Sequence, residues 1–198
     1  AQGRRFSYLD ETSTVADIDV AELRAARARS TNYHPDLGRD GVVDAAFDWP
    51  EPRRSLPSAQ SEAQLGQEDE FTRAVCLGLR DYARKSGSQG FVVSLSGGAD
   101  SSAVVALIGT MIDLAGREIG LNTLASQLRV GHADSPEALA AAILTTAYQS
   151  TRTSSGETRS AARSLAESIG ATHHELDVDS ITQGYTTLLE GAIGRPLS

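Results

Sequence analysis

An α/β fold, an open parallel sheet with helices on both faces and an irregular arm before it, is predicted by three features of the sequence. The apolar run FVVSL (91–95) passes directly into a glycine- and serine-rich turn and then a long apolar stretch. Two further strand-like runs follow downstream, each trailed by a helical pattern. Strand, helix, strand, helix, strand, helix favours parallel strands joined by right-handed crossovers.

Near the start, Val15, Ile18 and Val20 alternate with Asp17 and Asp19 and are only partly strand-like. AELRAARARS (21–30) has the alanines, leucine and arginines of a short helix with a basic end. Over residues 31–61 the periodicity dissolves. Pro35, Pro50, Pro52 and Pro57 lie there with Gly38, Gly41 and Trp49, the composition of a linker or extended arm that Trp49 anchors to a neighbouring domain.

From Gln67 onward Phe71, Val75, Leu79 and Tyr82 recur at helical steps, which predicts a helix ending near SGSQG (86–90). FVVSL reads as a strand covered on both faces, and AVVALIGTMIDLAG (103–116) as the helix packed back on it. ALAAAILTTAYQ (138–149) reads as a short helix feeding a strand near residues 143–148. ETRSAARSLAESIG (157–170) is a helix closed by Gly170, since glycine readily takes the left-handed conformation after a helix end. THHELDV (172–178) is the third strand and ITQGYTTLLEGAI (181–193) a further helix.

The totals narrow the function classes. With 198 residues, 40% of them apolar, the chain has material for one sizeable core. Lys and Arg number 18 against 26 Asp and Glu, a net charge of −8, so the basic footprint of a nucleic-acid binder is missing. A single cysteine excludes an intramolecular disulfide and a cysteine-built zinc site, and fits a reducing, cytoplasmic setting. No window approaches ~18 uninterrupted apolar residues, so no membrane span is expected. The chain begins without methionine and reaches only about three strands, which reads as an internal piece of a longer, truncated domain.

LSGGADSS (95–102) carries the chemistry. In an open parallel sheet ligands gather at the carboxyl ends of the strands, where a glycine-rich turn lets main-chain N–H groups approach an anion. Gly97 and Gly98 leave that approach open, and the next helix, expected to start around residues 100–102, adds unpaired amides and a positive dipole end. Serines 96, 101 and 102 are further donors. A Walker A loop would need a lysine, and a Rossmann turn a third glycine; neither is present. Asp100, one carboxylate among phosphate donors, suits Mg²⁺, which is commonly held by one or two carboxylates plus substrate phosphates. Ordinary turn and capping chemistry is the competing account.

Ser96, Gly97, Gly98, Asp100 and Ser101 match SGGxDS, and the chain thereby resembles the ATP pyrophosphatase, or PP-loop, superfamily of adenine nucleotide alpha hydrolase-like folds. Within it, AYQSTRTSSGETRSAARSLAESIGATHHELDV (147–178) is similar to the second conserved segment of glutamine-dependent NAD⁺ synthetases. The resemblance implies residues 1–30 as the tail of a nitrilase-like glutaminase (amidase) domain, 31–61 as the linker, and 62–198 as the N-terminal part of the synthetase domain. It further implies an ATP-dependent ligase that amidates nicotinic acid adenine dinucleotide (deamido-NAD⁺) through an adenylated intermediate. Ammonia would come from glutamine through the amidase domain, AMP and pyrophosphate would leave, and the enzyme would be a homo-oligomer.

Carried over residue by residue, the ATP-binding set is Ser94, Leu95, Ser96, Gly97, Gly98, Ala99, Asp100 and Ser101, with Asp100 holding Mg²⁺. Gln149, Ser150 and Thr151 are candidates for the adenosine half and Arg159 for phosphate, although the segment's Thr153, Ser154 and Ser155 also suit helix capping. The family's Glu, Lys and Cys glutaminase set has no counterpart here, no catalytic residue is assigned, and the chain alone is expected to be inactive. Cys76 reads as a buried structural thiol. His173 and His174, adjacent on a strand, point to opposite faces, and His34 and His132 sit in loops without ligand partners. Another PP-loop ligase, GMP-forming or tRNA-modifying, and a non-catalytic nucleotide-binding module remain as alternatives.

Overall fold

The computed structural model describes residues 6–13, 18–30, 45–46, 65–152 and 154–196. Val15, Thr153, His34, Trp49 and nearly all of the arm expected over 31–61 lie outside the described residues. The chain divides into two compact units, one made of residues 1–5 and 11–64 and the other of residues 6–10 and 65–198.

In the first unit α1 runs Val20–Arg29, and Asp19 caps it by accepting hydrogen bonds from the amides of Ala21 and Glu22. Val20 therefore opens a helix rather than ending a strand.

The second unit is an open three-stranded parallel sheet, order β1-β2-β3, with helices interleaved. After α2 (Gln67–Ser86) come β1 (Phe91–Ser94), α3 (Ala99–Ile119), α4 (Leu121–Gln127), α5 (Pro136–Ile143), β2 (Leu144–Ser150), α6 (Gly156–Ile169), β3 (Thr172–Asp177) and α7 (Asp179–Ile193). The ambiguous stretch 138–149 resolves into α5 and β2 with no intervening turn: Ser135 caps α5, Pro136 occupies its first turn, and β2 starts at the residue after Ile143. Phe91 pairs with Leu144 and Ser94 with Ala147, while Thr145 pairs with Thr172 and Ser150 with Asp177.

One sheet face is packed. Leu95, Leu144, Thr146 and Tyr148 are buried there, and α3 contributes Val105, Ile108, Met111, Ile112 and Ala115 to the same core. On the other face Val92 is 83% exposed, so the two-sided cover expected for FVVSL is met on one side only among the described residues. α3 is also long and apolar enough to cross a membrane by length and composition. The expectation of uninterrupted apolar residues passed over it because Asp113 and small polar side chains break the run. Here it packs against α2, α4, α5, α6 and β1.

The buried face of α2 overlaps the expected one only in part, with Leu79 packed against the core. Cys76, Arg80 and Ala83 are its buried residues, whereas Phe71 is 63% and Tyr82 68% exposed. The i, i+4, i+7 set that packs includes an arginine, which an apolar periodicity overlooks. Arg80 is kept buried by partners: it donates to the Tyr8 carbonyl at 3.0 Å and Gln127 Oε1 at 2.5 Å, and pairs with Asp81 at 2.7 Å.

Those partners include a short strap, residues 6–10, that the sequence did not suggest. Ser7 Oγ donates to Glu118 Oε1 at 2.6 Å, the Tyr8 amide donates to Glu118 Oε2 at 3.1 Å, and Asp10 pairs with Arg84. The Tyr8 ring is buried.

Candidate functional site

The turn after β1 is built by its own hydroxyls. Leu95, fully buried, ends the strand by donating its amide to the Ala147 carbonyl at 2.9 Å, so only its main chain faces the turn. The Ser96 amide donates to Ser101 Oγ at 3.2 Å, and the Gly98 amide donates to Ser96 Oγ at 3.3 Å. The two serine hydroxyls lie 3.1 Å apart. Gly98 is the N-cap of α3, with no side-chain cap, and Ala99 is its first residue, slightly before the expected start.

Four amides, those of Gly97, Ala99, Asp100 and Ser101, have no hydrogen-bond partner among the described residues. Three of them belong to the first turn of a 21-residue helix, where orphan N–H groups and the dipole favour an anion. Ser96, Gly98, Ala99 and Asp100 are exposed, so an anion could reach them.

Gly97 is the tightest point. Its φ is +78°, a conformation L side chains rarely adopt, and a Cβ there would collide with the Thr158 carbonyl, 2.9 Å from its carbon. Glycine at 97 thus answers two constraints, a positive φ and contact with the start of α6, neither of which acts at Gly98.

Asp100 projects from the first turn of α3 and its carboxylate has no hydrogen bond or ion pair among the described residues. No group of three or more His, Cys, Asp or Glu side chains that could hold a metal occurs among them. A lone, exposed carboxylate beside unpartnered amides fits Mg²⁺ bound mainly through substrate phosphates and does not fit a protein-caged ion.

The strand-end candidates separate. Gln149 lies on the exposed sheet face and accepts a hydrogen bond from Ser94 Oγ at 2.7 Å, which places the two together beside the turn. Ser150 points the other way, is buried, and donates to the Leu176 carbonyl at 3.3 Å. The Thr151 amide donates to Ser154 Oγ at 2.9 Å. Arg159, exposed in the first turns of α6, holds its guanidinium 5.9 Å from the centre of the Tyr148 ring. Ser155 caps α6 through the Thr158 amide at 3.2 Å, as the capping account anticipated.

Two residues that pattern reading missed, Tyr148 and Thr158, touch this region directly. Tyr148 Oη and Thr158 Oγ1 lie 2.8 Å apart. The close approach of α6 to the turn is tertiary, and the only sequence sign of it is the demand for glycine at 97.

Among the remaining candidates, Cys76 is buried with its Sγ 3.3 Å from the Leu107 carbonyl, and burial pushes its thiol pKa up, opposite to what a nucleophile needs. His132 does have a partner, Asp134 at 2.7 Å on the surface. His173 and His174 occupy opposite faces of β3. His173 Nδ1 is 2.8 Å from Thr146 Oγ1, and its Nε2 is buried without a partner among the described residues.

Comparison with known proteins converges with this geometry. The chain is 32% identical over 211 residues to the glutamine-dependent NAD(+) synthetase of Oryza sativa subsp. indica, and 31% identical over 194 residues to that of Homo sapiens. These alignments cover 98% and 90% of the chain but only 29% and 27% of the relatives, so it spans under a third of their length. Among solved structures, the glutamine-dependent NAD(+) synthetase of Cytophaga hutchinsonii superposes with a TM-score of 0.62 at 44% identity, over 68% of this chain and 25% of that one. The Acinetobacter baumannii enzyme, described in complex with adenosine diphosphate, is 21% identical over 72% of this chain and 22% of that one; at a TM-score of 0.51 it shares the fold. The NAD synthase family model matches residues 71–194, which contain the sheet, the turn at its edge and α6. Well over half of the chain is thus accounted for by one family, and the chain belongs to the NAD synthases.

Proposed function

We propose that this chain is the ATP-handling part of a glutamine-dependent synthetase that converts nicotinic acid adenine dinucleotide to NAD⁺, releasing AMP and pyrophosphate. The observation that carries the reading is the turn after β1, with four amides lacking partners among the described residues beside the exposed Asp100. The name borne by the relatives gives glutamine dependence and NAD(+) as the product; the deamidated acceptor is inferred from that product.

A carboxylate resists ammonia until one of its oxygens becomes a good leaving group. In the proposed reaction the nicotinate oxygen attacks the α-phosphorus of ATP, and the bond to the bridging oxygen breaks as pyrophosphate departs. Ammonia from glutamine then adds to the acyl carbon, the bond to the AMP oxygen breaks, and a proton passes to solvent. The amides of Gly97, Ala99, Asp100 and Ser101 grip phosphate oxygens, and fixed donors of this kind need no reorganisation as charge shifts. The Ser96 and Ser101 hydroxyls, now bonded to each other, can turn outward to add donors. Asp100 would hold Mg²⁺, which when bound neutralises charge on the departing pyrophosphate. Gln149, on the open sheet face, is assigned to the adenosine half, and Arg159 to a phosphate through its planar fork. A neutral cradle of main-chain donors suits a protein whose net charge is −8. The single cysteine supports a reducing, cytoplasmic setting.

The test uses the full-length protein with ATP, Mg²⁺, the deamidated dinucleotide and either ammonia or glutamine, following NAD⁺ and pyrophosphate together. The expected result is one NAD⁺ per pyrophosphate from both nitrogen sources. Pyrophosphate formed only with another acceptor would point to a different PP-loop ligase. A protein that binds ATP without ever releasing pyrophosphate would be the non-catalytic module.

A further inference from the structure

We infer that Tyr148 and Thr158 form a positioning pair that sets the pose of the phosphate turn, a role that rests on the nucleotide-binding reading above. The turn's own bonds are few and exposed: the Ser96, Gly98 and Ser101 contacts span 3.1 to 3.3 Å and all face solvent. Such contacts exchange readily with water and, although α3 itself orients the amides of Ala99, Asp100 and Ser101, do not by themselves fix the Gly97 peptide. What does fix it lies behind the turn, where Gly97 abuts the Thr158 carbonyl with no room for a Cβ.

Thr158 is in turn held from the central strand. Its Oγ1 lies 2.8 Å from Tyr148 Oη and 3.0 Å from Ser155 Oγ, and it donates to the Ser155 carbonyl at 3.1 Å. Tyr148 is buried in β2, the strand paired on both sides, so its phenol is a rigid reference point. The next residue, Gln149, reaches the root of the same turn across the opposite sheet face through Ser94. Successive side chains of a strand point to opposite faces, so two neighbours on β2 brace one turn from both sides. The helix does not require the Thr158 hydroxyl, because Ser155 already caps the Thr158 amide. Its additional contact with Tyr148 couples α6, and with it the Gly97 contact, to the sheet.

The experiment compares Tyr148→Phe, Thr158→Val and Thr158→Ser with wild type in the full-length protein. The readouts are the Kd for Mg²⁺-ATP by titration calorimetry, the KM for ATP and kcat of pyrophosphate release, and the thermal midpoint. Tyr148→Phe and Thr158→Val should each raise the ATP Kd and KM about tenfold, since small misplacements of a site are costly. Their midpoints should stay close to wild type. The double variant should be little worse than either single one, because the pair acts as a unit, and Thr158→Ser should restore ATP binding. Unchanged ATP binding in Tyr148→Phe and Thr158→Val overturns the inference. So does a loss that merely tracks the midpoint and that serine does not rescue, which is the behaviour of a structural contact. Wild-type protein that binds no ATP sinks the nucleotide reading itself, a failure separable from the first because it appears before any substitution.

Discussion

Gly97 and Thr158 meet backbone to backbone, the α-carbon of one lying against the carbonyl of the other with no space for a methyl group. This contact joins the glycine turn after β1 to the start of α6. It also explains why the turn cannot carry a side chain there. Gly97→Ala should therefore act twice, through a φ of +78° and through the collision. Strain of this kind costs about 1–3 kcal/mol before the clash is counted. The expected outcome is a fall of several degrees in thermal midpoint together with loss of ATP binding by calorimetry. Gly98→Ala, at a φ of −85°, should be tolerated far better by the fold.

Substituting Asp100 tests that residue's proposed role apart from folding. It lies in the first turn of α3 without capping that helix, so Asp100→Asn removes only its favourable interaction with the helix dipole, about 0.3–1 kcal/mol. Pyrophosphate release should fall about 100-fold, the scale expected when a group stabilising developing charge is deleted. Urea denaturation alongside turnover checks this, and equal losses in both would make the aspartate merely structural.

Arg80 is a buried cation whose partners come from residues 6–10, its own helix and Gln127. Arg80→Ala should destabilise the protein by about 3 kcal/mol, because the Tyr8 carbonyl and neighbouring groups lose their donors at once. Arg80→Lys should recover less than about half of that, since one ammonium cannot reproduce the spread of a guanidinium fork. Equilibrium urea curves measure both.

Tyr8 gives an alkaline signature. Burial holds its phenol well above the ordinary value of 10.0, with the Cys76 and Glu118 charges adding to the rise, and burial raises the Cys76 thiol above 9.0. The unfolded chain releases these protons first, so stability is fully present below about pH 9 and declines as pH rises through 10, by up to about 1.4 kcal/mol per pH unit for each group kept protonated in the fold. Tyr8→Phe should flatten that decline in a series of thermal midpoints from pH 8 to 11. At neutral pH the substitution should cost little, because the hydroxyl is buried without a partner among the described residues.

The order of strands and helices, α4 excepted, was legible because each carries local information: the unbroken FVVSL run, the glycine that ends α6, the motif at the β1 to α3 junction. Asp100 and the two glycines could be singled out because strand, double glycine, aspartate and helix arrive together, although each type alone is ordinary at such a junction. What escaped were relations between distant segments. Arg80 looks like any surface arginine until Tyr8 and Gln127 arrive from elsewhere in the chain, and of the apolar stripe Phe71, Val75, Leu79, Tyr82 only Leu79 packs against the core while Phe71 and Tyr82 are exposed. Ser150 and Gln149 are neighbours in sequence with opposite fates, because the register of β2 turns one into the core and leaves the other beside the turn. Thr158 gave no sign of its partner Tyr148, since a hydroxyl at the start of a helix already has an ordinary use.

The strap that carries Tyr8 bears on where this polypeptide can be cut. A version begun at residue 62, the boundary that composition suggests, would strip the guanidinium of Arg80 of its carbonyl and Asp10 contacts and open a ring-sized hollow beside Cys76. Anyone trimming the gene to isolate the nucleotide-binding unit would do better to retain the serine, tyrosine and aspartate of that short stretch, or to supply them as a separate peptide and look for recovery of the missing stability.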